Sequence, residues 1–195
     1  MKHFILAASA ALLATACATP DVVVPVAGVG TPTGTYMQMA ASGDMFEIQS
    51  GQLALQRSCD PAVRSFAQMI IDDHTRLSSQ MMQVAQASNL PMPPTQLAPH
   101  HQQMLQTLTA ATTPGFEGTF RAQQMAAHQE ALNLHQTYAS SGDVAPLRAV
   151  AAQAVPAIQT HLGHVQSLPS AAPCALPQTQ VPVVQPAPRR AGERG

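Results

Sequence analysis

The sequence predicts an all-α chain folded as a four-helix bundle, with a short extra helix in the long connection between the second and third long helices. Three observations lead there. Apolar residues recur at i, i+3, i+4 and i+7 through four separate windows. No segment alternates apolar and polar residues with the period of two that a half-buried strand requires. Pro, Gly, Asp and Asn stand between the windows, where they stop one helix and start the next.

The chain opens on Met1-Lys2-His3, a short basic start, followed by an apolar run from Phe4 to Leu13 that is too short to span a membrane as a mature helix. Ala14-Thr15-Ala16 is a small-x-small cleavage signal, so residues 1–16 read as a signal peptide and the protein as exported. Cys17 follows directly. Leu12 to Cys17 resembles a bacterial lipobox, with Ala14 where Leu is more common, and a lipid on Cys17 would tether the protein to a membrane. The pattern with Ala18 rather than Asp after the cysteine is that of outer-membrane lipoproteins, which gives a periplasmic, outer-membrane-anchored location. An ordinary cleaved signal leaving a free Cys17 is the alternative. Residues 17–34 and 169–195 are rich in Pro and Gly and lack a helical period, so they read as a disordered tether and a disordered tail ending in Arg189, Arg190 and Arg194. The bundle domain is 35–168.

Within it, the first helix, about 35–58, carries Tyr36, Met39, Ala40, Gly43, Phe46, Glu47, Ser50, Leu53 and Ala54 on one face. Asp60-Pro61 is an N-cap and first-turn pair that starts the second helix, which Asn89 to Pro94 ends. Its stripe is Val63, Phe66, Ala67, Ile70, His74, Leu77, Met81 and Val84, bordered by Asp73. Residues 95–110 make the short connecting helix. Thr113-Pro114 starts the third long helix, whose stripe is Phe116, Phe120, Gln124, Ala127, His128, Ala131, Leu134, His135 and Tyr138, and Ser140-Ser141-Gly142 ends it. Asp143 opens the fourth, with Leu147, Val150, Ala154, Ile158, His161 and Val165 inward and a kink expected at Pro156.

Glu47, His74, His128 and His161 each interrupt the apolar stripe of a different helix. An ionised group buried without a partner costs several kcal/mol or more, so four of them call for a metal, a buried network or a cavity. Counted from the turn near Cys59, Glu47 and His74 differ by about 5 Å in height and can share a site. His161, close to the end of its helix, falls roughly 10 Å from mid-height and fits one tight centre less well. Read without a metal, Glu47 and His74 form a buried hydrogen-bonded pair with Asp73 orienting the imidazole, and His128 and His161 are satisfied core histidines. His164 could chelate with His161, while His100 and His135 are expected in solvent. Met37, Met39, Met81, Met82, Met104 and Met125 raise Cu(I) binding, or simply fill gaps in an aromatic-poor core.

Only 10% of residues are charged and the formal net charge is −1, which gives no long-range field for nucleic acid or anionic lipid. No nucleophile triad, phosphate loop or zinc-protease motif is present, so hydrolase and kinase readings have no residues to rest on.

The strings Met45 to Ile48, Val63 to His74, Ala126 to Leu132 and Val155 to Leu162 resemble DUF4142, an exported bacterial family of unknown function placed among the ferritin-like bundles. The resemblance implies a ferritin-like fold and an envelope location, and no established activity; a histidine shared by family members corresponds to His101. Di-iron bundles use two single Glu residues and two Glu-x-x-His motifs. Here Asp73-His74 replaces one such motif, Glu130 lies about 200° around the helix from His128, and the helix of His161 brings no carboxylate. A His-rich set of Glu47, Asp73, His74, His128 and His161 suits zinc, copper or mononuclear iron better than a bridged iron pair. Three functions follow as alternatives: a metal-binding or polar-cored envelope protein, a metal-dependent oxidase or peroxide-handling enzyme, and a structural envelope adaptor. In the oxidising envelope a Cys59–Cys174 disulfide is allowed, provided that the last helix ends beside the turn holding Cys59, as it does in a ferritin-like path.

Overall fold

In a computed structural model of the protein, residues 32–169 are described; the expected signal peptide, Cys17, Cys174 and the terminal arginines lie outside them. The elements are α1 (Thr33–Arg57), α2 (Pro61–Ala87), α3 (Pro99–Ala110), α4 (Phe116–Ser141) and α5 (Ala145–Ser167), with one 3-10 turn at Thr113–Gly115. No strand occurs among the described residues, and none of their helices is long and apolar enough to cross a membrane.

Two antiparallel hairpins, α1/α2 and α4/α5, pack through α1 on α4 and α2 on α5. Phe116 and Phe120 at the start of α4 share an apolar cluster with Val63 and Phe66 at the start of α2 and with Val165 and Leu168 at the end of α5. The helices α2 and α4 therefore begin at one pole and run parallel, and α3 carries the chain back between them. That single long crossover is the ferritin-like path. A second apolar cluster closes the opposite pole around Tyr36, Met81, Tyr138 and Leu147, where the two tyrosine rings stack at 3.8 Å.

Local chemistry fixes the ends. Asp60 Oδ1 accepts from the amides of Ala62 and Val63 at 2.8 and 3.0 Å, and Pro61 needs no such partner. Arg57 donates to the carbonyls of Leu108, Thr109 and Ala111 at the end of α3, and its guanidinium lies 4.4 Å over the Phe116 ring. Arg121 does the same for the carbonyls of Val165 and Gln166 at the end of α5. Both place a cation where the helix dipole is negative.

Several expectations are corrected. The first helix begins two residues early, at Thr33, and Thr113-Pro114 makes the 3-10 turn instead of the first turn of α4. Asp143 does not cap α5. It accepts from Tyr138 Oη and from Thr33, tying the start of α1 to the α4–α5 turn, and Val144 takes the cap position. Pro156 does lie inside α5, with its ring exposed and the unmade bond on the solvent side, where the sequence expects the kink. Met37 and Met81 fill the apolar cluster beneath Tyr36, which is the gap-filling role. Cys59 is disulfide-bonded, with its partner outside the described residues, and α5 does end at the pole of the α1–α2 turn, as pairing with Cys174 requires.

Gly51 lets the first hairpin close. A Cβ there would stand 2.9 Å from Ile71 Cγ1 and 3.0 Å from the Ala67 carbonyl, inside contact distance. Gly51→Leu is expected to wedge α1 from α2 and cost roughly 2–3 kcal/mol in urea unfolding; an unchanged midpoint would show that the hairpin opens freely.

Candidate metal centre

Three histidines from three helices meet in the bundle interior. His74 on α2, His128 on α4 and His161 on α5 are 2%, 0% and 0% exposed, and each offers a ring nitrogen within 4.8 Å of the others. Ring centroids are 5.5 Å apart for His74 with either partner and 5.1 Å for His128 with His161. The axial mismatch expected for His161 disappears when heights are counted from the α4–α5 turn. His128 lies 13 residues before Ser141 and His161 16 residues after Ala145, a difference of three residues or about 5 Å of rise.

The hydrogen bonds made by the other nitrogens set the tautomers. Asp44 Oδ1 lies 2.8 Å from His74 Nδ1, so that nitrogen donates and Nε2 is left over, buried and without any partner. The Gln124 carbonyl can only accept, so His128 Nδ1 donates to it at 2.9 Å and Nε2 carries a lone pair. His161 Nε2 donates to Asp73 Oδ2 at 2.9 Å, leaving Nδ1 bare, and Asp73 is held in turn by Arg76 at 2.8 Å. The two lone-pair nitrogens, His128 Nε2 and His161 Nδ1, then face one another at 3.1 Å. Neutral imidazoles in these tautomers have no proton to share there. Burial, with the neighbouring imidazoles, holds His128 well below its ordinary pKa, and burial also lowers His161 despite Asp73, so an added proton is opposed. His74 differs: burial pushes it down, but Asp44, Glu47 and Asp73 outweigh that and raise it. A cation between the three nitrogens would use every lone pair and answer the orphaned His74 Nε2.

Glu47 is the carboxylate beside them. Its Oε1 lies 3.4 Å from His128 Nδ1, its Oε2 has no partner, and burial pushes its pKa up to about 7 against the pull of His74. Both this residue and His74 line a cavity of about 20 Å³, room for one water.

Of the five residues picked from the sequence, the structure brings His74, His128 and His161 together, places Glu47 at their edge and puts Asp73 behind His161. The expected Asp73–His74 pairing is wrong: Asp44 orients His74. Adjacent residues on a helix point about 100° apart, so Asp73 cannot face its own neighbour and turns to α5 instead. Asp44 was missed, although it sits three residues before Glu47 on the same face of α1. His135, expected in solvent, is 6% exposed, with Nδ1 3.1 Å from Tyr36 Oη; it follows His128 by seven residues and so shares its stripe. His164 stays exposed and does not join His161.

A solved structure described as "CopM in the Cu(II)-bound form" is similar to this chain, with a TM-score of 0.61 and 17% identity over 71% of this chain and 95% of that one. At that identity the likeness is one of fold. No curated protein matches the sequence. The model of the family described as "Domain of unknown function (DUF4142)" matches residues 25–168, and the chain, a ferritin-like bundle with three histidines meeting at its centre, belongs to that family.

Proposed function

We infer that the protein is an exported, membrane-tethered metal-binding bundle that holds one transition-metal ion on His74, His128 and His161, with Glu47 as the adjacent carboxylate. One observation carries this reading: one nitrogen of each imidazole is already committed to Asp44, the Gln124 carbonyl or Asp73, and the three buried rings still offer ligand atoms within 4.8 Å of one another. A purely structural network would need a proton between His128 Nε2 and His161 Nδ1, which the burial of both rings opposes. Three imidazoles with an optional carboxylate and no thiolate suit Zn(II) or Cu(II). Cu(II) is the first ion to test, being also the ion in the description of the similar structure. Asp44 and Asp73 orient the imidazoles and raise their basicity from behind.

Export and tethering rest on residues 1–17; Cys59 is disulfide-bonded, and its pairing with Cys174 would leave Cys17 for a lipid. Elemental analysis of protein recovered from the membrane fraction should find about one equivalent of metal, lost in His128→Ala and in His161→Ala. Cys17→Ala should move the protein to the soluble exported fraction with its metal retained. Metal-free wild type that stays metal-free on dialysis against Cu(II) and Zn(II) would reject the site.

A further inference from the structure

A second group of ligand-type side chains lies outside the buried trio. His100 and His101 in the first turn of α3 and Glu130 on α4 each offer one ligand atom, all within 4.8 Å of one another. His100 Nε2 is 3.2 Å from Glu130 Oε1, and these two side chains are 42% and 40% exposed, so the pair faces solvent. His101 is 2% exposed and closely held. Its ring stacks on Phe46 at 5.4 Å and lies tilted against His100 at 3.9 Å, and its Nδ1 lies 2.7 Å from Ser42 Oγ, which accepts the Ala98 amide at 2.7 Å. The nitrogen left over is Nε2.

A half-exposed His–Glu contact contributes little by itself, and it gives no reason for fixing a buried imidazole beside it with a serine, a phenylalanine and the start of a helix. Preorganisation of that kind is what a ligand group needs. The group also has a definite place: His101 and Glu130 line the same small cavity as Glu47 and His74. Gly43 lines it too and brings no side chain, and even a Cβ there would reach His101 Cε1 only at 3.8 Å. The buried trio has no exposed member, so an ion bound for it must pass some such mouth.

We propose that His100, His101 and Glu130 form a second, solvent-facing site for a divalent transition metal, from which the ion is handed past Glu47 to the buried histidines. Two imidazoles and a carboxylate match the hardness of Zn(II) or Cu(II) and bind less tightly than a closed three-histidine centre, as a loading site requires. The inference rests on the buried site described above.

Zn(II) is titrated calorimetrically into metal-free protein, and its uptake is followed by stopped flow with a zinc indicator. Wild type should take two equivalents. His100→Ala/Glu130→Gln, which leaves His101 and its packing in place, should take one equivalent, at least tenfold more slowly. His128→Ala/His161→Ala should keep one equivalent that exchanges fast with the indicator. Unchanged stoichiometry or unchanged uptake rate in His100→Ala/Glu130→Gln overturns the second site and leaves the buried one standing. Two equivalents in His128→Ala/His161→Ala overturns the buried site instead. Circular dichroism of both variants shows whether each is folded.

Discussion

Metal-free protein given Zn(II) or Cu(II) at about 100 times the dissociation constant is expected to gain about 2.7 kcal/mol, since the ion binds the folded chain and the unfolded chain holds no such site. For a domain of this size that is roughly 10 °C in Tm. His128→Ala should remove most of the gain, because it takes away one of the three buried ligands. Asp44→Asn should keep all three imidazoles and still weaken binding about 10–100-fold, through the tautomer and basicity of His74. Asp73→Asn should act alike through His161. Thermal unfolding with and without chelator checks each variant, and an equal rise in wild type and His128→Ala would mean that the ion binds elsewhere.

Acid should destabilise the metal-free bundle between about pH 6.5 and pH 4. Burial holds His101 and His135 down to about 4, below the ordinary 6.5. A group depressed in this way contributes stability that is complete above the unfolded value and is lost as pH falls through the folded one. For His135, buried against Tyr36, the loss is at most about 3 kcal/mol. His128 and His161, also lowered, add to it. Glu47 works the other way. Its folded pKa of about 7 lies above the ordinary 4.5, so its contribution is complete below pH 4.5 and is lost as pH rises through 7. Urea midpoints measured in chelator from pH 7.5 to 4.5 should therefore fall in wild type, fall less in His135→Gln and fall more steeply in Glu47→Gln. A flat wild-type profile, or parallel slopes in all three proteins, would contradict this assignment of protons.

The periods of the helices were legible because an apolar stripe is a property of each helix alone. Val63, Phe66, Ile70 and Leu77 mark the inner face of α2 with no knowledge of a partner, and His74 stands out as an interruption of it. So do His128 and His161. The Asp60 cap was legible for the same reason, since its partners lie two and three residues away. Asp143 has the same local signature and was misread, because its carboxylate is taken by Thr33 from the start of α1 and by Tyr138 five residues back in α4.

What the sequence by itself determined was an all-helical bundle, its inward faces, and three of the histidines that meet in it: all follow from spacing along one chain. Only the tertiary structure decided which acid stands behind which imidazole, that His161 reaches the level of His128, and that His100, His101 and Glu130 come within ligand distance of one another. Those facts depend on the axial offset and rotation of one helix against another. Such offsets are set by side-chain packing between segments far apart in the chain, and a shift of one helical turn, about 5.4 Å, would give every ligand a different partner without altering a single stripe.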